Sequence, residues 1–302
     1  MIGRVIITGS GGMLGTALLK KLKSYNEIKI IAISSQEEKL SKIYKDAENV
    51  LIFNSLDKVD DKIPSICVHC AFPRTQNGEN LANSLIATEE LINKLKQKKC
   101  EYLVNISSQS VYPQNGDYIQ DEEDNVAPSS LYGMTKLAIE QIVRLICTNN
   151  NMSFVNIRLG SLASADFDQR MINRFYEKII NGKDINVNSG LPKVSYLHID
   201  DATSALSKLV DSIIKGKGLA NLYNLANNDW SLISDLANSC LIKAKELNLG
   251  TACIVETDKE SNYNNVINSD KFYNDFSWEP KYSMSCLVDD IFNKKYEISK
   301  CN

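Results

Sequence analysis

Short, nearly continuous apolar runs alternate with helical spacings through the first half of the chain. The runs predict strands over 4–8, 28–33, 50–53, 66–71, 102–106 and 154–158. They lack the polar alternation of a half-exposed sheet, which suits parallel strands covered on both faces. Three intervening segments carry apolar residues three and four apart. These are 12–24 (Leu14, Ala17, Leu18, Leu22), 80–98 (Leu81, Leu85, Leu91, Leu95) and 130–147 (Leu131, Ala138, Ile142, Ile146). Strand and helix in alternation predict a doubly wound α/β sheet. After about residue 160 the rhythm changes. Residues 161–192 read as a helix-bearing insertion, 194–199 as a strand, 201–215 as a helix and 222–225 as a further strand. The remainder is mixed and Asn-rich, and it suggests a smaller C-terminal α/β lobe built from two chain pieces.

The 302 residues are 43% hydrophobic and 24% charged with a net charge of −3, an ordinary balance for a soluble enzyme. No basic face for nucleic acid is indicated. No apolar run approaches the roughly 20 residues that cross a bilayer. A strand pattern begins at Arg4, so no signal peptide and a cytoplasmic location are expected. The eight cysteines (67, 70, 100, 147, 240, 253, 286, 301) read as reduced structural thiols. Cys67 and Cys70, three apart on a strand, point to opposite faces, and the chain has two histidines, so no metal site is expected.

The turn after the first strand reads Thr8-Gly9-Ser10-Gly11-Gly12-Met13-Leu14-Gly15 and opens a helix. Gly9 permits the sharp turn, Gly12 lets backbone amides approach a pyrophosphate, and Gly15 permits close helix–sheet packing. This predicts a Rossmann-type dinucleotide site. A carboxylate about 20 residues on would bind the adenosine ribose. That place holds Ser34, followed by Ser35, with Lys39 nearby. The balance tilts to NADP(H), with NAD(H) the alternative.

Tyr132-Gly133-Met134-Thr135-Lys136 places a phenol and an ammonium one helical turn apart. The ammonium would favour the phenolate, so that the pair can move a proton near neutral pH. Upstream, Ser107-Ser108-Gln109-Ser110 ends a strand, where open α/β sheets place ligands. A Ser108 hydroxyl there can bond the substrate oxygen that Tyr132 protonates.

With these motifs the chain resembles the extended short-chain dehydrogenases/reductases, of the NAD-dependent epimerase/dehydratase family that acts on nucleotide sugars. The similar stretches run in family order: T-G-S-G-G-M-L-G at 8–15, V-H-C-A at 68–71, Asn83, S-S-Q-S-V-Y at 107–112, P-S-S-L-Y-G-M-T-K-L-A-I-E at 128–140, I-R-L-G at 157–160, Y-L-H-I-D-D at 196–201, L-Y-N-L-A at 222–226 and W-E-P at 278–280. The resemblance implies that Ser108, Tyr132 and Lys136 are catalytic, with Lys136 also holding the nicotinamide ribose. It implies a cofactor lined by Thr8, Gly9, Gly11, Gly12, Met13, Leu14, Gly15, Ser34, Ser35, Ser55, Leu56, Cys70, Ala71, Phe72, Ile106, Leu159, Gly160 and Ser161. Substrate would meet Ser108, Gln109, Ser110 and Asn83. Arg170, Arg174 and Lys193 suit a nucleotide pyrophosphate as cations. Glu122 lines up with a family glutamate that can face the sugar. His198 and Asp200-Asp201 match a segment tying two lobes together. The resemblance assigns 1–160 plus about 193–221 to a dinucleotide-binding domain and 161–192 plus about 222–302 to a substrate-binding lobe. It further implies a homodimer through the helices at 80–98 and 130–147, although core burial explains their apolar positions equally.

Three positions depart from the family: Ser34 replaces the acidic end of the second strand, Ser55 an adenine-contacting aspartate, and Leu159 a proline. Dehydratases of the family carry Asp-Glu where this chain has Gln109-Ser110, so dehydration is disfavoured. The cysteine and later histidine of the GDP-fucose synthases are absent, which disfavours epimerisation by deprotonation beside a carbonyl. Reduction of a 4-keto nucleotide sugar remains, or 4-epimerisation by tightly held NAD. A reading of another class is a regulator that senses NADP(H) without turnover. The presence of both Tyr132 and Lys136 favours the enzyme.

Overall fold

The computed structural model describes residues 2–25, 27–73, 77–167 and 169–301; the Cys301 side chain lies outside the described set. In chain order the first half comprises β1 (Arg4–Thr8), α1 (Met13–Leu22), β2 (Lys29–Ile33), α2 (Glu37–Ile43), β3 (Val50–Phe53), β4 (Ser65–His69), α3 (Gly78–Gln97), β5 (Cys100–Ser108), α4 (Leu131–Asn149) and β6 (Ser153–Leu159). There follow β7 (Leu162–Ala163), α5 (Met171–Ile180), β8 (Ile185–Gly190), β9 (Lys193–Val194), β10 (Leu197–His198), α6 (Ile199–Ile214) and β11 (Leu222–Leu225). The chain ends with β12 (Ser231–Leu232), α7 (Ile233–Glu246), β13 (Ile254–Ser261), α8 (Asp270–Phe276) and α9 (Met284–Cys301).

Seven parallel strands form one sheet in the order β11-β6-β5-β4-β1-β2-β3. Helices cover both faces, as the apolar runs require. On one face Leu18 and Leu19 of α1 and Leu206, Leu209 and Val210 of α6 share a core with Val5, Ile7, Val155 and Ile157. On the other, Ile92 and Leu95 of α3 and Ile139 and Val143 of α4 pack on Ile6, Cys67 and Leu103. The strand order reverses between β1 and β4, which opens a crevice at their C-terminal ends.

The second lobe has its own core, in which α5, α7 and α9 contribute Ile172, Phe175, Leu236, Cys240, Leu287 and Ile291. Two expectations are revised here. The single strand over 194–199 is instead two two-residue bridges, and α6 begins at Ile199, because His198 acts as its N-cap: His198 Nδ1 accepts the Asp200 amide at 3.1 Å. The other imidazole nitrogen meets Asp290 of α9 at 3.2 Å, and Tyr282 stacks on the ring at 3.9 Å. The strand Leu222–Leu225 does form, but it pairs with β6 and extends the large sheet. Phe272, Phe276 and Trp278 also pack into the sheet core, so the chain beyond residue 222 serves both cores.

Candidate active site

The glycine turn joins β1 to α1 across the crevice. Gly9 has φ +68°, and a Cβ there would stand 2.6 Å from the Ala71 backbone after β4. A Cβ on Gly15 would drive into the Gly9 carbonyl. Gly12 is the N-cap of α1 with no side-chain cap, so the first-turn amides at Met13 and Leu14 keep no intrahelical partner. Gly11, Gly12 and Met13 line a cavity of about 680 Å³ with Ser164 and Asp166 of the second lobe and Asp200 of α6. A dinucleotide phosphate fits this cradle: close backbone passage, orphan amides and a helix N-terminus converge there.

The remaining cofactor candidates divide by where their polar atoms point. Thr8 is buried and its hydroxyl meets His69 Nδ1 at 2.7 Å. Burial first, then the Lys136 charge, pushes His69 down to about 3, so the imidazole is neutral. Ser34 is turned inward: its Oγ accepts the Gln36 amide at 3.0 Å and lies against Gly11. Ser35 is exposed and shares a cavity of about 370 Å³ with Gln36, Glu37, Glu38, Lys39 and Asn54. Ser55 caps the turn at Leu56–Lys58 and bonds Asp57 at 2.8 Å, while Leu56 is buried.

Cys70, Phe72, Ile106, Leu159, Gly160 and Ser161 line a second cavity of about 370 Å³. Ser108, Ser110, Tyr132, Lys136 and Arg170 share it. Ser108 ends β5 and its Oγ accepts the Ser110 amide at 3.1 Å, which opens a 3-10 turn over Gln109–Val111. α4 is capped by Ser130, whose Oγ accepts the Gly133 amide at 3.1 Å. A Cβ on Gly133 would collide with the Ser110 carbonyl, so glycine is what lets the helix start press against that turn. This contact brings the Tyr132 phenol beside the Ser108 hydroxyl. Burial raises the phenol's pKa, and the Ser108 hydroxyl and the Arg170 charge pull it back down.

Lys136, one turn on along α4, lines the same cavity as Tyr132. Its ammonium donates to the Ile106 carbonyl at 2.9 Å and sits 3.9 Å from the Phe72 ring centroid. Phe72 in turn meets Tyr132 edge-on at 5.3 Å. Arg170, brought in from the second lobe, adds a second positive charge to this cavity. Burial pushes Lys136 down to about 8, against the opposing pull of Cys70 and Glu140.

Several substrate candidates are engaged elsewhere. Gln109 is buried; its amide donates to Ser161 Oγ at 2.9 Å and accepts the Ser161 amide at 3.1 Å. Asn83 lies beyond Phe72, in a separate cavity of about 320 Å³ shared with His69 and Ala71. Glu122 accepts the Asn224 amide at 2.6 Å rather than facing the reaction cavity. Arg174 is exposed, and Lys193 pairs with Asp117 at 3.2 Å beneath Trp230. Of the three proposed cations, only Arg170 lines the reaction cavity.

A supporting network went unpredicted. Glu140, one turn beyond Lys136, pairs with Arg158 of β6 at 2.9 Å, both nearly fully buried, and accepts the Ser107 hydroxyl. Arg158 also donates to Tyr112 Oη at 2.8 Å, and Tyr112 donates to the Asp121 carbonyl at 2.7 Å. The signal was present: Glu140 continues the Tyr132–Lys136 spacing, and a charged residue interrupts the apolar run of β6.

A model of the NAD dependent epimerase/dehydratase family matches residues 5–226. The chain belongs to that family. Among its relatives, a UDP-glucose 4-epimerase of Rhizobium meliloti is 24% identical over 231 residues, 70% of this chain and 69% of that protein. A dTDP-4-dehydrorhamnose reductase of Shigella flexneri is 24% identical over 287 residues, 90% of this chain and 92% of the other. In architecture, a variant of the Bacillus cereus UDP-glucuronic acid 4-epimerase superposes with a TM-score of 0.81 at 16% identity, covering 98% of this chain and 99% of that one. The family is described as NAD dependent, which agrees with the nicotinamide cofactor expected from the glycine turn. No helix among the described residues is long and apolar enough to cross a membrane.

Proposed function

We propose that the protein is a cytoplasmic oxidoreductase that reduces a 4-keto nucleotide sugar. The observation that carries this reading is the Ser108–Tyr132 pair lining one cavity with Lys136, at the same C-terminal edge of the sheet as the glycine turn. Tyr132 would hold and release the proton of the sugar oxygen, and Ser108 would orient that oxygen. Lys136 would hold a ribose from the floor of the cavity once Phe72 makes room. A nicotinamide bound against Leu159 and Gly160 would supply the hydride.

A second reading, 4-epimerisation with retained NAD, is favoured by the cofactor end. Ser34 is already engaged, and Glu37 and Glu38 stand where a 2′-phosphate would come, which leaves Ser35 and Lys39 as the support for NADP(H). Mass spectrometry of ligands released from the purified protein separates the two. Retained NAD supports epimerisation. An empty protein that turns over a 4-keto sugar with NADPH supports reduction, and turnover of neither substrate refutes both.

We further propose a homodimer through α3 and α4, on which Ile86, Leu131, Met134 and Leu145 are exposed apolar residues. Light scattering on Leu145→Glu is expected to show a monomer.

A further inference from the structure

Arg170 is the one substrate candidate that the fold delivers into the reaction cavity from the second lobe. Its backbone is fixed before any ligand arrives. The Arg170 amide donates to the Phe167 carbonyl at 2.8 Å. Asn173, fully buried, donates to the carbonyls of Ser164 and Ala165 at 3.2 and 2.9 Å. Yet its guanidinium has no hydrogen-bond or ion-pair partner among the described residues, although it is only partly exposed. Among the described residues, no aspartate or glutamate lines the cavity that it shares with Ser108 and Tyr132. A guanidinium on a fixed backbone, with no partner among the described residues, is suited to a planar anion taken bidentately.

Two anions of a nucleotide sugar could fill that role, the diphosphate and a carboxylate on the sugar. The Ser108–Tyr132 pair marks the oxygen on the reacting carbon. In a pyranose the diphosphate leaves from the far end of the ring, whereas a C6 carboxylate hangs from the carbon next to the reacting one. Arg170 lines the cavity that holds the Tyr132 phenol, and its charge reaches that phenol. We propose that Arg170 is the specificity residue for a sugar acid, binding the carboxylate of a nucleotide-linked uronic acid beside the reacting carbon. This rests on the nucleotide-sugar reading above and narrows its substrate class.

The test measures binding of UDP-glucuronic acid, UDP-glucose and UDP to the NAD-loaded full-length protein by calorimetry. The wild type is expected to prefer the glucuronate over the glucose form by about 10- to 100-fold, the range of a charge-assisted pair. Arg170→Gln is expected to abolish that preference without weakening UDP, and Arg170→Lys to keep part of it; unchanged NAD affinity certifies the fold of each. Equal wild-type affinity for the two sugars overturns the inference alone. So does a loss in Arg170→Gln that is equal for UDP and both sugars, which would place Arg170 on the diphosphate. A wild type that binds NAD but neither these three probes nor dTDP, GDP, ADP or CDP overturns the nucleotide-sugar reading itself.

Discussion

On the sheet side of the reaction cavity several polar side chains are already engaged. Ser108 takes the Ser110 amide, Lys136 the Ile106 carbonyl, and Glu140 binds both Arg158 and Ser107. On the lobe side Arg170 is held by its backbone, while its guanidinium has no partner among the described residues. Apart from Phe72, which has to move off Lys136, the sheet wall is held by its own hydrogen bonds before any ligand arrives. The lobe wall is a recognition surface completed by whatever binds. Under the function proposed above, the groups that do the chemistry sit on the first wall and the group that chooses the substrate on the second.

The largest effect should come from Tyr132→Phe. Losing a proton-transferring group costs about 10²- to 10⁴-fold in turnover, and cofactor affinity measured by fluorescence should survive, since the scaffold is untouched. Next is Glu140→Gln, which leaves Arg158 buried without its counter-charge. Breaking a buried pair costs about 3–5 kcal/mol, readable in urea unfolding; a variant as stable as wild type would show that the sheet wall is not the rigid one.

Gly133→Ala should follow. Overpacking a tight contact costs about 1–3 kcal/mol, and here the added methyl meets the Ser110 carbonyl, so kcat should fall more than stability does. The smallest effect is on the pH profile. Lys136 is held at about 8 by burial, so its ammonium is lost as pH rises through that value. Turnover that needs the charge should decline there. Lys136→Arg, which cannot deprotonate in this range, should lack that basic limb, whatever its rate.

Legibility in the sequence divides along the same two walls. Strands β1 to β6 and helices α1, α3 and α4 follow from apolar runs and three–four spacings, because burial on both faces leaves a strong local pattern. The glycine turn was readable because Gly9 and Gly15 each answer a steric demand. The lobe was less so. β8 and β13 pair only with each other across the chain and keep exposed polar faces (Asn186, Glu256, Lys259), so their pairing is tertiary information. α9 is a case of signal unread: Met284, Leu287, Val288, Ile291 and Phe292 have helical spacing and fill the lobe's core.

Within the site, Ser108 and Tyr132 stand together as their motifs imply. The Tyr132–Lys136 spacing puts both side chains on one cavity but does not tell what the ammonium meets there. A shared helix face does not fix which partner a long side chain takes, and the Ile106 carbonyl and the Phe72 ring take the ammonium. Gln109 illustrates the same limit: it follows Ser108 in the chain, but its amide closes on Ser161. Among the lobe cations, charge alone could not rank Arg170 over Arg174 and Lys193. Only the fold shows that Arg174 is exposed and Lys193 is paired.

The most direct measurement supplies a 4-keto nucleotide sugar together with reduced nicotinamide cofactor deuterated at its transferable position, and follows deuterium by NMR. Wild-type protein is expected to place the label on carbon 4 of the sugar, and Tyr132→Phe, binding both ligands, to do so about 100-fold more slowly or less. Label transfer at an undiminished rate in Tyr132→Phe would contradict the role given to that phenol.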